Sequence, residues 1–387
     1  MTRELFEMVG RRASAPALDD VRWRELLAFA DRTQLTLYLR GNPGLPGWLV
    51  EEIESRYAKN AVRRSRLLAA YAETADALSA AGVEFVLLKG FTHEGGFGTD
   101  GSARIQYDLD LLAQPGELER ARTVFERIGY KPHGRRPLSE EHSRPLVRPS
   151  DWTWRGDYYD PEMPIPVELH GSVWNSARDH IHPDGIEAFW QRRSVMRVTG
   201  LEIPALAEVD RFAFAALHVV RHILRHDARP AHVLELARFL NAYSGDGHFW
   251  DRWRGLYSSR LQALQAVAFR FAQEWFGCAV PVDIEQTESA EAWFREFAWS
   301  PVANLTEPNK DTIWLHMELV RNWRDRVRVF CDRMIPLRLP QHERMLDRLR
   351  YHAWALAPAL ANGVRWRWRR KAASTASQIS DWKRRRV

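Results

Sequence analysis

Asp108 and Asp110 stand one residue apart in Tyr107-Asp108-Leu109-Asp110-Leu111-Leu112, an otherwise apolar run. Side chains at i and i+2 of a β-strand point to the same face, so the two carboxylates would lie together while Leu109 and Leu111 enter a core behind them. Like charges held that close repel unless a cation sits between them. Converging hard oxygen ligands suit Mg²⁺ (or Mn²⁺): Mg²⁺ takes one or two protein carboxylates and fills its other positions with water and phosphate oxygens. The spacing points to metal-dependent chemistry on a nucleotide, with a solvated strand end as the plain alternative for any isolated Asp-x-Asp.

Upstream, Val83-Glu84-Phe85-Val86-Leu87-Leu88 has the apolar character of a short buried strand and stops at Lys89-Gly90. Glycine there lets the backbone approach a ligand or take a positive φ. The segment that follows holds Gly95, Gly96, Gly98 and Gly101 and ends near Arg104. Backbone N–H groups of such a loop can cradle an anion, with Lys89 and Arg104 as charged partners for a triphosphate. Downstream, Ile165-Pro166-Val167-Glu168-Leu169-His170 is a second strand-like run, with Glu168 and His170 again at i and i+2. A third carboxylate beside the pair could complete a metal site or take the proton from an acceptor hydroxyl. An exposed strand glutamate is the alternative.

In this order and spacing, Leu88-Lys89-Gly90, Arg104, Asp108-Leu109-Asp110, Gly129-Tyr130 and Glu168-Leu169-His170 resemble the uncharacterised nucleotidyltransferases of the polymerase-β-like superfamily. The resemblance covers roughly residues 80 to 175. It implies a small mixed sheet flanked by helices, two-metal chemistry, and transfer of a nucleoside monophosphate from a nucleoside triphosphate with release of pyrophosphate. By position it implies that Asp108 and Asp110 hold the metals, that Glu168 is the third carboxylate, and that Lys89, Gly90 and Arg104 contact the phosphates. Two features depart from the pattern. The first strand ends in Lys-Gly-Phe where better-studied members have Gly-Ser or Gly-Gly, and the third acid is Glu where relatives often have Asp.

The helices that must position these strands have a readable period. Residues 1 to about 75 carry helical spacing, as in Trp23, Leu26, Leu27 and Ala30, with a break at Gly41-Asn42-Pro43-Gly44-Leu45-Pro46 and one long helix from Trp48 to Ala80. Gln114-Pro115-Gly116-Glu117-Leu118 is expected to start a helix that runs to about Ile128, behind the Asp-x-Asp strand. Lys131 to Ser150 is expected to be a loop, followed by strands that contain Trp152, Trp154 and Tyr158. From Ala207 onward the chain reads as helices, at Val209–His226, Leu261–Phe276 and Asp311–Arg333. His218, His222 and His226 recur every four residues and share a helix face; His218 and His222, with His170, are candidate cleft residues. A His-Glu-x-x-His zinc site is excluded, since no Glu stands in that position. Glu235 in the next helix could support the histidines or the nucleotide, with an exposed helix position as the alternative.

The expected architecture is therefore α+β: a helical N-terminal segment (residues 1–75), a nucleotidyltransferase core with a small mixed β-sheet (76–200), a helical domain (201–310) and a helical C-terminal extension with a basic tail (311–387). Only Cys278 and Cys331 occur in the 387 residues, which argues against a disulfide framework and for a reducing, cytoplasmic compartment. Neither a secretory leader pattern nor a run long enough to span a membrane is present. The net charge of +6 gathers at the C-terminus, in Arg365, Arg367, Arg369, Arg370 and Lys371 around Trp366 and Trp368, then in Lys383 to Arg386. Such a tail could lie on an anionic membrane surface, bind nucleic acid or be solvated. The two rivals to a transferase with a small-molecule or peptide acceptor are a nucleic-acid-directed transferase and a non-catalytic nucleotide-binding scaffold.

Overall fold

A seven-stranded mixed sheet runs in the order β3-β4-β5-β2-β1-β7-β6, flanked by helices, in a computed structural model of the chain. It describes residues 2–94, 96–97, 101–134, 144–281, 287–307, 309–334 and 360–363. The strands are β1 Phe85–Leu87, β2 Leu109–Ala113, β3 Lys131–Pro132, β4 Leu146–Val147, β5 Val167–His170, β6 Ser194–Val198 and β7 Leu201–Ala205. β1 pairs antiparallel with β2 and parallel with β7, and β2 pairs parallel with β5. The architecture is α+β, as the residue pattern predicts.

The chain divides into two compact units. The first takes in Met1–Asn175, Pro183–His218 and Arg229–Val282, and the second Ser176–His182, Val219–Ala228 and Asp283–Val387. In the first unit, α1 (Thr2–Arg11), α2 (Asp20–Thr33) and α3 (Gly47–Ala80) precede the sheet, and α4 (Leu118–Arg127) follows β2. The buried positions of α3 recur at Ile53, Asn60, Arg63, Leu67, Tyr71, Thr74 and Leu78, steps of three, four and seven that keep one helix face inward. Leu67, Tyr71 and Leu78 pack with Phe125 of α4 against Phe85, Leu87, Leu109, Leu111, Val167 and Leu169. The strand residues between them in sequence, Val86, Asp110, Glu168 and His170, therefore point to the opposite face.

Short helices α5 (Ser176–Asp179) and α6 (Ala188–Gln191) lead to the β6–β7 hairpin, whose turn residues Thr199 and Gly200 both have positive φ (51° and 82°). Two such residues form the turn whose twist matches that of paired strands. α7 (Glu208–Leu224), α8 (Pro230–Ala242), α9 (Gly247–Leu256) and α10 (Ser259–Phe276) follow. α10 packs on α8 and on α1, where Phe6 stacks on Phe276 at 4.9 Å.

The second unit contains α5, the last turns of α7, and α11 (Glu288–Phe297), α12 (Ser300–Ala303), α13 (Thr312–Leu319) and α14 (Trp323–Met334). Asp179 anchors it by accepting two hydrogen bonds from Arg225 at 2.8 and 2.6 Å. His316 Nε2 lies 2.6 Å from the Asp179 carbonyl oxygen.

Three expectations are corrected. β3 and β4 lie in the segment Lys131–Ser150 that is expected to be a loop, and Leu146 pairs with Val167 of β5. Residues 151–166 form no strand. Pro161, Pro164 and Pro166 withdraw backbone donors, and Asp157 and Asp160 fold the segment by accepting from the N–H groups of Tyr159 and Glu162, both at 2.8 Å. Trp152 instead donates its indole N–H to Asp160 at 2.8 Å, and Trp154 packs edge-on against Tyr158. The single helix expected over Asp311–Arg333 is two, because Val320 is extended (ψ 133°) and Asn322 Oδ1 starts a new helix by accepting from Asp325 N. Among the described residues no helix is long and apolar enough to cross a membrane. The basic tail from Arg365 onward lies outside them.

Candidate functional site

Strand register brings the acids together. β2 and β5 run parallel with Asp110 directly opposite Glu168, on the face turned away from the Leu109–Leu111 core. On the other side of β2, the Leu88 N–H donates to the Asp110 carbonyl at 3.0 Å. Lys89, next in sequence, then reaches Asp110 Oδ2 with Nζ at 2.9 Å. The second oxygen of Asp110 lies 2.9 Å from His170 Nε2, which is also 3.9 Å from Glu168 Oε2. Lys89 Nζ is 3.3 Å from His218 Nε2 of α7 as well.

These neighbours separate the two aspartates. Burial works to raise the pKa of Asp110, but Lys89 and the hydrogen bond from His170 outweigh it and hold that carboxyl well below the usual carboxylate range. Asp108, just before β2, is pushed up to about 7 by burial and then by the charge of Asp110, with Lys89 only partly offsetting them. Asp108 thus sits in the field of two further carboxylates, Asp110 and Glu168, with Lys89 and Arg104 as nearby cations. Asp110, Glu168 and His170 each present a ligand atom within 4.8 Å of the others. Two carboxylates and a surplus of negative charge are a donor set that fits Mg²⁺ or Mn²⁺, with the His170 hydrogen bond to Asp110 serving to orient that carboxylate.

Polar residues buried on α3 shape the approach to this cluster. Asn60 donates to the carbonyls of Ser102 and Arg104, at 2.7 and 3.0 Å. Arg63 is fully buried and donates to the carbonyls of Gln106, Tyr107 and Met163, at 3.0, 2.9 and 2.8 Å. One guanidinium therefore holds both the segment leading into Asp108 and the one leading into Glu168. Gln106 donates its amide to the Asp108 carbonyl at 2.8 Å and packs over Gly90, whose φ is +70°. A Cβ on Gly90 would run into that carboxamide. The glycine expected to admit a phosphate also admits Gln106.

A second cluster lies around Glu235 of α8, which is 3% exposed. Its Oε1 is 2.8 Å from Arg104 Nε, its Oε2 is 2.8 Å from His93 Nδ1, and the Tyr38 hydroxyl donates to Oε1 at 3.5 Å. Burial pushes the pKa of His93 down against the pull of Glu235, and because an ionised carboxylate only accepts, Nδ1–H is the donor. Burial also works to raise Glu235, but Arg104 and His93 hold it well below the usual range. Arg104, expected beside the triphosphate, is thus buried in an ion pair. His218 stands beside Lys89, with its ring 4.9 Å from that of His232. His222 belongs to the second unit, where its Nδ1 is 3.1 Å from Asp227.

The residues not foreseen as parts of the site are Asn60, Arg63, His93 and Gln106, and Glu235 stands where an exposed position was the alternative. The available signal was on α3, where Asn60 and Arg63 fall in register with Ile53, Leu67 and Tyr71.

A family model described as an uncharacterised nucleotidyltransferase matches residues 19–277, a span that runs from the start of α2 to the end of α10. No curated protein and no solved structure matches the chain.

Proposed function

The chain belongs to the uncharacterised nucleotidyltransferase family, and from that premise we propose that Asp108, Asp110 and Glu168 catalyse metal-dependent transfer of a nucleoside monophosphate. The donor is a nucleoside triphosphate and the acceptor is a hydroxyl or phosphate of a small molecule or peptide. The observation that carries this reading is the pairing of Asp110 with Glu168 on adjacent parallel strands, with Lys89 on the open side of Asp110.

Asp108, Asp110 and Glu168 would hold Mg²⁺ or Mn²⁺, which when bound neutralises charge that develops on the phosphoryl oxygens. His170 keeps Asp110 turned toward the site through its 2.9 Å contact. Glu168 retains 23% side-chain exposure beside the nearly closed Asp110, which supports it as the group that meets an acceptor from solvent. In the proposed reaction the acceptor oxygen forms a bond to the α-phosphorus, its proton passes to the Glu168 carboxylate, and pyrophosphate leaves with the electron pair of the broken P–O bond. Lys89 and the Gly90 backbone are the proposed phosphate contacts. The charge of Arg104 is already met by Glu235, which supports a role in holding the loop rather than the direct phosphate contact expected from sequence.

Calorimetric titration with ATP, GTP, CTP and UTP, with and without Mg²⁺, tests the reading on the natural chain and on an Asp108→Ala, Asp110→Ala double variant. Binding that needs Mg²⁺ and disappears in the folded double variant is the expected result. Binding that survives both the variant and metal removal overturns it, as does failure of all four nucleotides to bind.

A further inference from the structure

Glu235 lies outside the sheet that carries the proposed reaction, and its carboxylate reaches both flanks of the glycine-containing segment between β1 and β2. His93 begins that segment and Arg104 ends it, and these partners stand 142 and 131 residues away from Glu235 in sequence. A buried ion pair is weak support for stability, because removing both ions from water offsets most of their attraction. The hydrogen bonds from His93 Nδ1 to Glu235 Oε2 at 2.8 Å and from Arg104 Nη2 to the same oxygen at 3.5 Å nevertheless fix where its members sit. Each Glu235 oxygen has a close partner at 2.8 Å, from a different flank.

The rest of α8 continues the same surface. Phe239 is one turn after Glu235, and Tyr243 ends the helix. Phe97 stacks on His93 at 4.1 Å and packs against Phe239 at 4.8 Å. Gly96 lies against the same two α8 residues: a Cβ there would come within 3.4 Å of the Tyr243 hydroxyl and 3.5 Å of Phe239. From Arg104 the contacts lead to the acids. Asn60 holds the Arg104 carbonyl, Arg63 holds the Gln106 carbonyl, and the Gln106 amide holds the carbonyl of Asp108.

We infer that Glu235 is a positioning residue for the nucleotide site, anchoring the flanks of the β1–β2 segment on α8 and thereby fixing the path of the chain into Asp108. Glu235 touches no reacting atom in this role. The part that concerns donor binding rests on the function proposed above, whereas the anchoring does not.

Hydrogen–deuterium exchange on the full chain without nucleotide tests the anchor directly. In Glu235→Gln, which keeps the side-chain shape but cannot serve as a charged acceptor for Arg104, peptides containing His93 and Arg104 should exchange about ten-fold faster while those of the β6–β7 hairpin stay unchanged. The same variant should bind the Mg²⁺ complex of whichever triphosphate the natural chain prefers about ten-fold more weakly. If Glu235→Gln loses its cooperative melt, Arg104→Met with Glu235→Met removes both buried charges. That pair is expected to recover the melting temperature, yet keep fast exchange at the two flanks and weak binding. Natural exchange at the flanks in a folded variant overturns the anchor, as does natural affinity in the double variant. A natural chain that binds no nucleotide overturns the donor reading, and the exchange comparison still decides the anchor.

Discussion

Two carboxylate clusters lie in the first unit, and they are balanced in opposite ways. Around Glu235 the acid meets the Arg104 guanidinium and the His93 imidazole at 2.8 Å each. Around Asp110 the carboxylates lie close enough to repel, and Asp108 is driven up to about 7 by burial and then by the charge of Asp110, with Lys89 only partly offsetting them. A compensated cluster holds segments in place and has no charge left for a ligand. A cluster whose carboxylates repel, as Asp110 and Glu168 raise Asp108, carries an electrostatic cost in the folded chain that a cation would relieve. The contrast supports the ligand chemistry proposed for Asp108, Asp110 and Glu168 and the positioning role proposed for Glu235.

The largest effect expected from this contrast is on turnover. Asp110→Asn keeps the shape between Lys89 and His170 but removes the charge, so nucleotidyl transfer should fall by about 10³-fold while the thermal midpoint holds. A labelled-nucleotide transfer assay checks it, and retained turnover would place the chemistry elsewhere. Stability should respond in the reverse pattern. Glu235→Ala strands the buried Arg104 and should cost about 3–5 kcal/mol in urea unfolding. A loss below about 1 kcal/mol, the range of exposed ion pairs, would show that the pair is solvated.

Metal addition gives the next effect in size. Mg²⁺ at 100 times its dissociation constant should stabilise the natural chain by about 2.7 kcal/mol. It should leave the Asp108→Asn, Asp110→Asn variant almost unmoved. Equal shifts in the two proteins would show that the ion binds outside this cluster.

The two clusters also differ in how far sequence could reveal them. Asp110, Glu168 and His170 sit in strands, and Asp108 directly before one, where side chains alternate with a period of two, so Leu109, Leu111 and Leu169 in the core already fix which way the strand acids point. The long α3 and the helix after β2 are legible for a similar reason, since each carries an apolar face at helical spacing. Nothing local marks Glu235, because its burial depends on partners more than a hundred residues away. Arg63 falls on the inward register of α3, but what it holds emerges only where the carbonyls of Gln106, Tyr107 and Met163 converge on it. Trp152, Trp154 and Tyr158 have strand-forming character, but the prolines that follow and the aspartate-capped turns govern that segment. The β6–β7 hairpin rests on a Thr-Gly turn, a weaker signal than Asn-Gly.

The smallest expected effect is a difference in pH dependence, and it follows from the opposite displacements of Asp108 and Glu235. The folded-state pKa of Asp108, about 7, lies above the unfolded value of about 3.9. Between these values the folded state binds more protons, so the contribution of this group is fully present at low pH and is lost as pH rises toward 7. Glu235 is displaced downward, so its contribution is present above an unfolded value of about 4.3 and is lost as pH falls below it. In EDTA, Asp108→Asn should therefore melt higher than the natural chain at pH 8 and converge with it near pH 4. Glu235→Gln should melt lower throughout the neutral range and approach the natural chain only in acid. Thermal melts from pH 3 to 8 would separate the two, and parallel curves for all three proteins would mean that the clusters do not differ in charge balance.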